Sequence, residues 1–73
     1  MTVYNLKIGQ TAKVKEVLGD SKLAKRLLAL GCVSGTEIEI KRSAPLGDPI
    51  VVSFRGTDLA IRRKDASNIY LEM

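Results

Sequence analysis

Polar and apolar residues alternate along most of this chain, and the period of the alternation changes once. Thr11-Ala12-Lys13-Val14-Lys15 switches at every step, the pattern of a strand with one buried face. Ala12 and Val14 would face inward, Lys13 and Lys15 outward. The pattern slips at Glu16-Val17, which predicts a bulge or the strand's end. Beyond Gly19-Asp20-Ser21 the period becomes helical. Leu23, Leu27 and Leu30 stand at i, i+4 and i+7, with Ala24 and Leu28 on the same side and Lys22, Lys25 and Arg26 opposite. The spacing predicts a helix of about three turns, entered through an N-cap in the Gly19–Ser21 turn and ended by Gly31 at its C-cap. Arg26 near that end suits the helix dipole.

After the helix the period returns to two. Ser34-Gly35-Thr36 reads as a tight turn. Glu37-Ile38-Glu39-Ile40-Lys41 alternates with Ile38 and Ile40 inward, and Ile50-Val51-Val52-Ser53-Phe54 with Ile50, Val52 and Phe54 inward. Arg55-Gly56-Thr57-Asp58 is a short hairpin connection, and Leu59-Ala60-Ile61-Arg62-Arg63 the next strand. Lys64–Asn68 is polar, with room for one helical turn, and Ile69-Tyr70-Leu71 closes the chain as a short strand. Leu6–Gln10 is a lead-in ending in a glycine turn. Strands joined by short loops are antiparallel neighbours. A flat sheet of such strands would leave costly edges, so the expected fold is mainly β: a small bent barrel of about five short antiparallel strands. One α-helix, inserted after the first strand, plugs an end. The whole chain, 1–73, is one domain.

Both prolines fall in one loop, Arg42-Ser43-Ala44-Pro45-Leu46-Gly47-Asp48-Pro49. Pro45 and Pro49 fix backbone angles, Gly47 permits the turn between them, and no alternation buries Leu46. The loop reads equally as a shaped corner between two strands and as a stiff display of Leu46 to a partner, since preorganised loops lose little entropy on binding.

Composition narrows the classes. The 45% hydrophobic fraction suits a folded domain rather than a disordered one. No apolar run approaches the roughly 18 residues of a membrane span, and Met1–Asn5 lacks the basic and apolar regions of a signal peptide. One cysteine, Cys32, excludes an internal disulfide and suits a reducing cytoplasm. The net charge of +4 lies in residues 1–42, which hold eight Lys/Arg against four Asp/Glu. That half is either a solvated face or a surface for nucleic acid, an acidic protein or a membrane.

Chemistry is sparse. The chain has no histidine, which removes Cys-His zinc sites and Ser-His nucleophile systems. Glu37 and Glu39 share the solvent face of a strand whose other face carries Ile38 and Ile40, so they are read as solvated rather than catalytic. There is no phosphate-binding GxxxxGK[ST] run. Free cysteine is among the most buried residue types, and Cys32 is read as core. No enzyme and no cofactor are expected, only weak, adventitious divalent-metal contact through exposed carboxylates. Nucleic acid is not expected either: Tyr4, Phe54 and Tyr70 are the only aromatic residues, too few for base stacking.

Five segments in order carry a resemblance. They are Leu6-x-x-Gly9; Arg26-Leu27-x-x-Leu30-Gly31-x-x-x-Gly35-Thr36-x-Ile38; Ala44-Pro45-x-Gly47-Asp48-Pro49-Ile50; Gly56-x-x-Leu59-Ala60-Ile61-Arg62; and Asp65-Ala66-x-x-Ile69. Together they resemble the FeoA family, small cytosolic components of bacterial ferrous iron uptake. The resemblance implies an SH3-like barrel and action on the membrane transporter FeoB, which carries a cytosolic G domain. A similar module ends metal-dependent repressors of the diphtheria toxin repressor type. Cys32 stands where the family usually has a plain apolar residue. Histidines or clustered carboxylates that could lend metal ligands are missing.

The leading expectation is therefore a cytoplasmic accessory protein that binds the cytosolic domain of an FeoB-type transporter and is recruited through it to the inner face of the membrane. It would be a monomer or weak homo-oligomer, with Tyr70 near a pairable sheet edge. The alternatives are a stand-alone relative of the repressor module that binds a transcription regulator, and a small nucleic-acid-binding barrel. The expected partner face is Arg26, Leu30, Arg42 and Leu46, with Gly31, Gly35, Pro45, Gly47, Asp48 and Pro49 shaping the loops around it.

Overall fold

The alternating segments fold as read, into a single five-stranded antiparallel sheet. In the computed structural model, which describes residues 1–72, the strands are β1 (Thr11–Val17), β2 (Glu37–Ser43), β3 (Ile50–Phe54), β4 (Thr57–Ile61) and β5 (Ile69–Leu71). Their spatial order is β4-β3-β2-β1-β5. Helix α1 (Lys22–Ala29) connects β1 to β2, and a single turn, α2 (Arg63–Ala66), connects β4 to β5. A 3-10 turn at Val3–Asn5 precedes β1.

The inward faces assigned from the alternation meet in one core. Ile38, Ile40, Ile50, Val52, Phe54 and Ile61 are buried together with Val14, Leu27 and Cys32. Two bulges explain where the alternation fails. Between β1 and β5 the register shifts between Val14 and Glu16. The extra residue turns Glu16 to solvent and Val17 back toward the core. Between β2 and β3 it shifts between Ile40 and Arg42. Strict alternation from Ile38 and Ile40 would carry Arg42 inward; the bulge at Lys41 leaves it exposed.

Four expectations are corrected. Helix α1 has eight residues, little more than two turns. Its buried stripe is Ala24 and Leu27, with Leu23 partly covered, whereas Leu28 and Leu30 are 48% and 37% exposed. A helix this short packs through its centre, and the leucines at both margins of the stripe stay in water. The strand expected at Leu59–Arg63 runs instead from Thr57 to Ile61, because β3 and β4 close on the two-residue turn Arg55-Gly56. Both turn residues have positive φ, 51° and 79°, as a type I′ hairpin requires. Finally, Tyr70 does not offer an open edge. Thr2 bridges to Tyr70, and the Leu71 N–H donates to the Met1 carbonyl at 2.9 Å, so the N-terminal residues cover β5.

Candidate functional site

Two surfaces emerge, at opposite ends of the β3–β4 hairpin. The first surrounds the end of α1. Ser21 caps the helix start, its Oγ accepting the Ala24 N–H at 3.1 Å. At the other end the Cys32 N–H donates to the Leu27 carbonyl at 2.9 Å and the Gly31 N–H to the Leu28 carbonyl at 3.1 Å. This pair of bonds is a Schellman motif, with Gly31 in the left-handed region at φ 98°. The hydrophobic contact that accompanies it is Cys32, fully buried beside Leu27. The Thr36 hydroxyl donates to the Gly31 carbonyl at 2.9 Å and locks the cap to the start of β2. Gly31 is also a contact point. A Cβ placed on it would lie 2.8 Å from Arg55 Cδ, so the Arg55 side chain from the hairpin turn rests on the bare Cα of the helix end. Leu30, the C-cap, adjoins this junction, with Arg26 one turn before it and exposed Leu28 and Val33 nearby in sequence.

The second surface is the proline loop. The Gly47 N–H donates to the Ala44 carbonyl at 2.7 Å, and the Ala44 N–H to the Pro49 carbonyl at 2.9 Å. Gly47 supplies the positive φ of 87°, and the Asp48–Pro49 peptide is cis. The loop is fastened from outside. Asp48 Oδ1 accepts the Arg63 N–H at 3.0 Å, capping α2, and the Arg63 Nε donates to the Gly47 carbonyl. The Arg63 guanidinium lies 6.0 Å from the centroid of the Tyr4 ring. Leu46 at the tip is 97% exposed.

These placements divide the residues expected to share one face. Arg26 and Leu30 lie with Arg55 where β3 ends; Arg42 and Leu46 lie where β3 begins, since Ser43 pairs Ile50. The whole length of β3 separates the two groups. The single four-residue face is therefore not formed. Sequence reasoning also passed over Arg55, Arg63 and Tyr4. Arg63 carried a readable signal, because Arg63-Lys64-Asp65-Ala66 is a better helix start than strand end. The contact of Arg55 with Gly31 is long-range and left no local pattern.

Chemical groups are few. Burial pushes the Cys32 thiol above its usual pKa, which makes it a poor nucleophile. Among the described residues no three His, Cys, Asp or Glu side chains gather as a metal would need. No described helix is long and apolar enough to cross a membrane.

The family model for the FeoA domain matches residues 1–73. A Porphyromonas gingivalis protein described as an Fe(2+) transport protein A/Fe(2+) transporter FeoB fusion is 33% identical over all 73 residues, and this chain spans 9% of its length. The solution structure of FeoA from Chlorobium tepidum is 38% identical, with a TM-score of 0.90 over 100% of this chain and 70% of that one. The zinc-complexed FeoA of Stenotrophomonas maltophilia, described as a prokaryotic SH3 domain protein, is 29% identical, with a TM-score of 0.86 over 99% of this chain and 89% of that one. A manganese-dependent transcriptional repressor at 12% identity and TM-score 0.80, over 97% of this chain and 40% of that one, shares the fold.

Proposed function

The chain belongs to the FeoA family, associated with ferrous iron transport, and from that premise we propose that it is an accessory domain that docks on the cytosolic part of an FeoB-type transporter. The observation that carries this reading is the fusion relative, in which a segment aligned with this entire chain shares one polypeptide with the transporter. Fusion holds two partners at high effective concentration, which benefits a pair that must touch. The domain would act in the cytoplasm and reach the membrane through its partner, working by contact rather than catalysis.

The docking face is the end of α1. Arg26 and Arg55 bring positive charge, and Leu28, Leu30 and Val33 bring exposed apolar surface that the fold leaves uncovered. A partner with acidic and apolar groups in the same patch complements it. Charge at such a rim steers encounter, while packing of the leucines sets the lifetime of the complex.

The test is surface-binding kinetics of the folded domain against the soluble domain of the transporter, paired with complementation of ferrous iron uptake. Arg26→Glu should slow association and flatten its salt dependence. Leu30→Asp should speed dissociation. If the parent does not bind, or if both variants fold, bind and complement like the parent, the reading is wrong.

A further inference from the structure

The proline-loop end has a role the docking face does not explain. We propose that this end rests on an anionic lipid surface, with Leu46 entering the boundary between headgroups and acyl chains. The inference stands on the loop alone and does not require the docking at α1.

Leu46 is the most exposed large hydrophobic residue described, at 97%, and it tops a loop tied down at three points. Gly47 and Asp48 are both bonded to Arg63, and Ala44 is bonded to Pro49. Nothing in the fold gains by presenting a leucine to water in so rigid a setting. The residues around it form a basic collar. Arg42 and Lys64 are exposed and make no ion pair among the described residues, and Arg63 spans from the loop to Tyr4. Two carboxylates stand against them, Asp48, which accepts the Arg63 backbone N–H but keeps its charge, and Asp65, paired with the Arg62 side chain at 3.1 Å; Arg42, Arg62, Arg63 and Lys64 outnumber them and leave this end positive. Tyr4, half-exposed, is an amphipathic ring of the kind favoured at the water–lipid boundary.

The shape argues for lipid over protein. Both described concavities lie elsewhere, one between β1, α1 and α2 and one beside the start of β1. The loop end is a protrusion. A protein partner would have to supply a socket matched to one side chain, whereas a bilayer offers hydrocarbon and negative charge without shape. The contact is one side chain deep and spans nothing. A single leucine with a few cations binds weakly alone. At low salt that weak binding is measurable, and any second contact that holds the domain at the membrane strengthens it, because this one is then intramolecular.

The experiment uses vesicles of phosphatidylglycerol and phosphatidylethanolamine, with neutral phosphatidylcholine vesicles as control, at low and high salt. The chain has no tryptophan, so Leu46→Trp places a clean fluorescent probe at the tip. A blue shift on anionic vesicles, reversed by salt and absent on neutral ones, is the expected result. In cosedimentation of the parent, Leu46→Asp should lower binding about tenfold or more, and Arg42→Glu with Lys64→Glu should remove its dependence on anionic lipid. An unshifted Leu46→Trp spectrum on anionic vesicles at low salt overturns the proposal. So does equal sedimentation of the parent and a folded Leu46→Asp variant. If Leu46→Asp abolishes capture by the transporter's soluble domain while the parent ignores vesicles, the loop end is a protein contact and the lipid assignment fails.

Discussion

Replacing Gly31 by alanine should destabilise the domain through two separable effects. The first is backbone. At φ 98° the residue sits beyond the left-handed well that side chains tolerate, and forcing a Cβ there costs about 1–2 kcal/mol. The second is contact. The new Cβ would meet Arg55 Cδ at 2.8 Å, closer than real side chains approach, and Nε at 3.0 Å, tighter than most. Arg55 is flexible, so its stem swings away at roughly 0.5–1.5 kcal/mol of rotamer energy. Together these remove about 1.5–3.5 kcal/mol. A chain of 73 residues has only about 4–11 kcal/mol to lose. The melting temperature should fall by roughly 6–28 °C. Urea unfolding of four proteins (the parent, Gly31→Ala, Arg55→Asn and the double variant) separates the effects. Asparagine removes Cδ and Nε, so the double variant should recover the contact share, about 0.5–1.5 kcal/mol, and keep the backbone share. Arg55→Asn alone should be neutral or stabilising, since it creates the Asn-Gly pair that type I′ turns prefer. If Gly31→Ala unfolds at the parent's midpoint, the Schellman assignment is wrong. If the coupling is zero, Arg55 does not rest on the helix end.

Ile40→Ala, at the centre of the core, should cost about 2–5 kcal/mol by chemical denaturation, and an unchanged midpoint would mean the strand faces are reversed. Asp48→Ala leaves the Arg63 N–H uncapped and should cost about 0.5–2 kcal/mol, with faster amide exchange at Arg63 than in Asp48→Asn. Burial raises the pKa of the Cys32 thiol above its ordinary value of 9.0, so its contribution is complete below about pH 9 and is lost as pH rises through the folded value; Cys32→Ala should flatten that alkaline fall in a pH series of denaturation curves. Titration calorimetry with Zn(II) or Fe(II) under reducing conditions should show nothing tighter than roughly micromolar, and a nanomolar site lost in Cys32→Ser would contradict both the metal expectation and the burial of the thiol.

The parts of the fold legible beforehand were those governed by local period. Ile38, Ile40, Ile50, Val52 and Phe54 declared their faces because a strand repeats every two residues. Ser21 and Gly31 declared the helix ends because few residues can serve there. What stayed hidden depended on partners far along the chain. Leu28 shares the helical spacing of Leu27, and only the narrow contact of α1 with the sheet leaves it in water. Val3 looks like any apolar residue near a terminus until the 3-10 turn, held by the Thr2 N–H on Asn5 Oδ1 at 2.9 Å, drives it into the core. The four residues expected on one face are divided for the same reason. Arg26-Leu30 and Arg42-Leu46 are each local pairs, but the antiparallel run of β2 and β3 sends them to opposite ends.

The hydrogen bond between Met1 and Leu71 brings the first residue and the last strand side by side. A few flexible residues joining β5 to Met1 would close the chain with the strand order unchanged. The same adjacency governs how such a domain can be built into larger proteins. A neighbour attached before Met1 or after Leu71 departs from one edge of the sheet, beside β5.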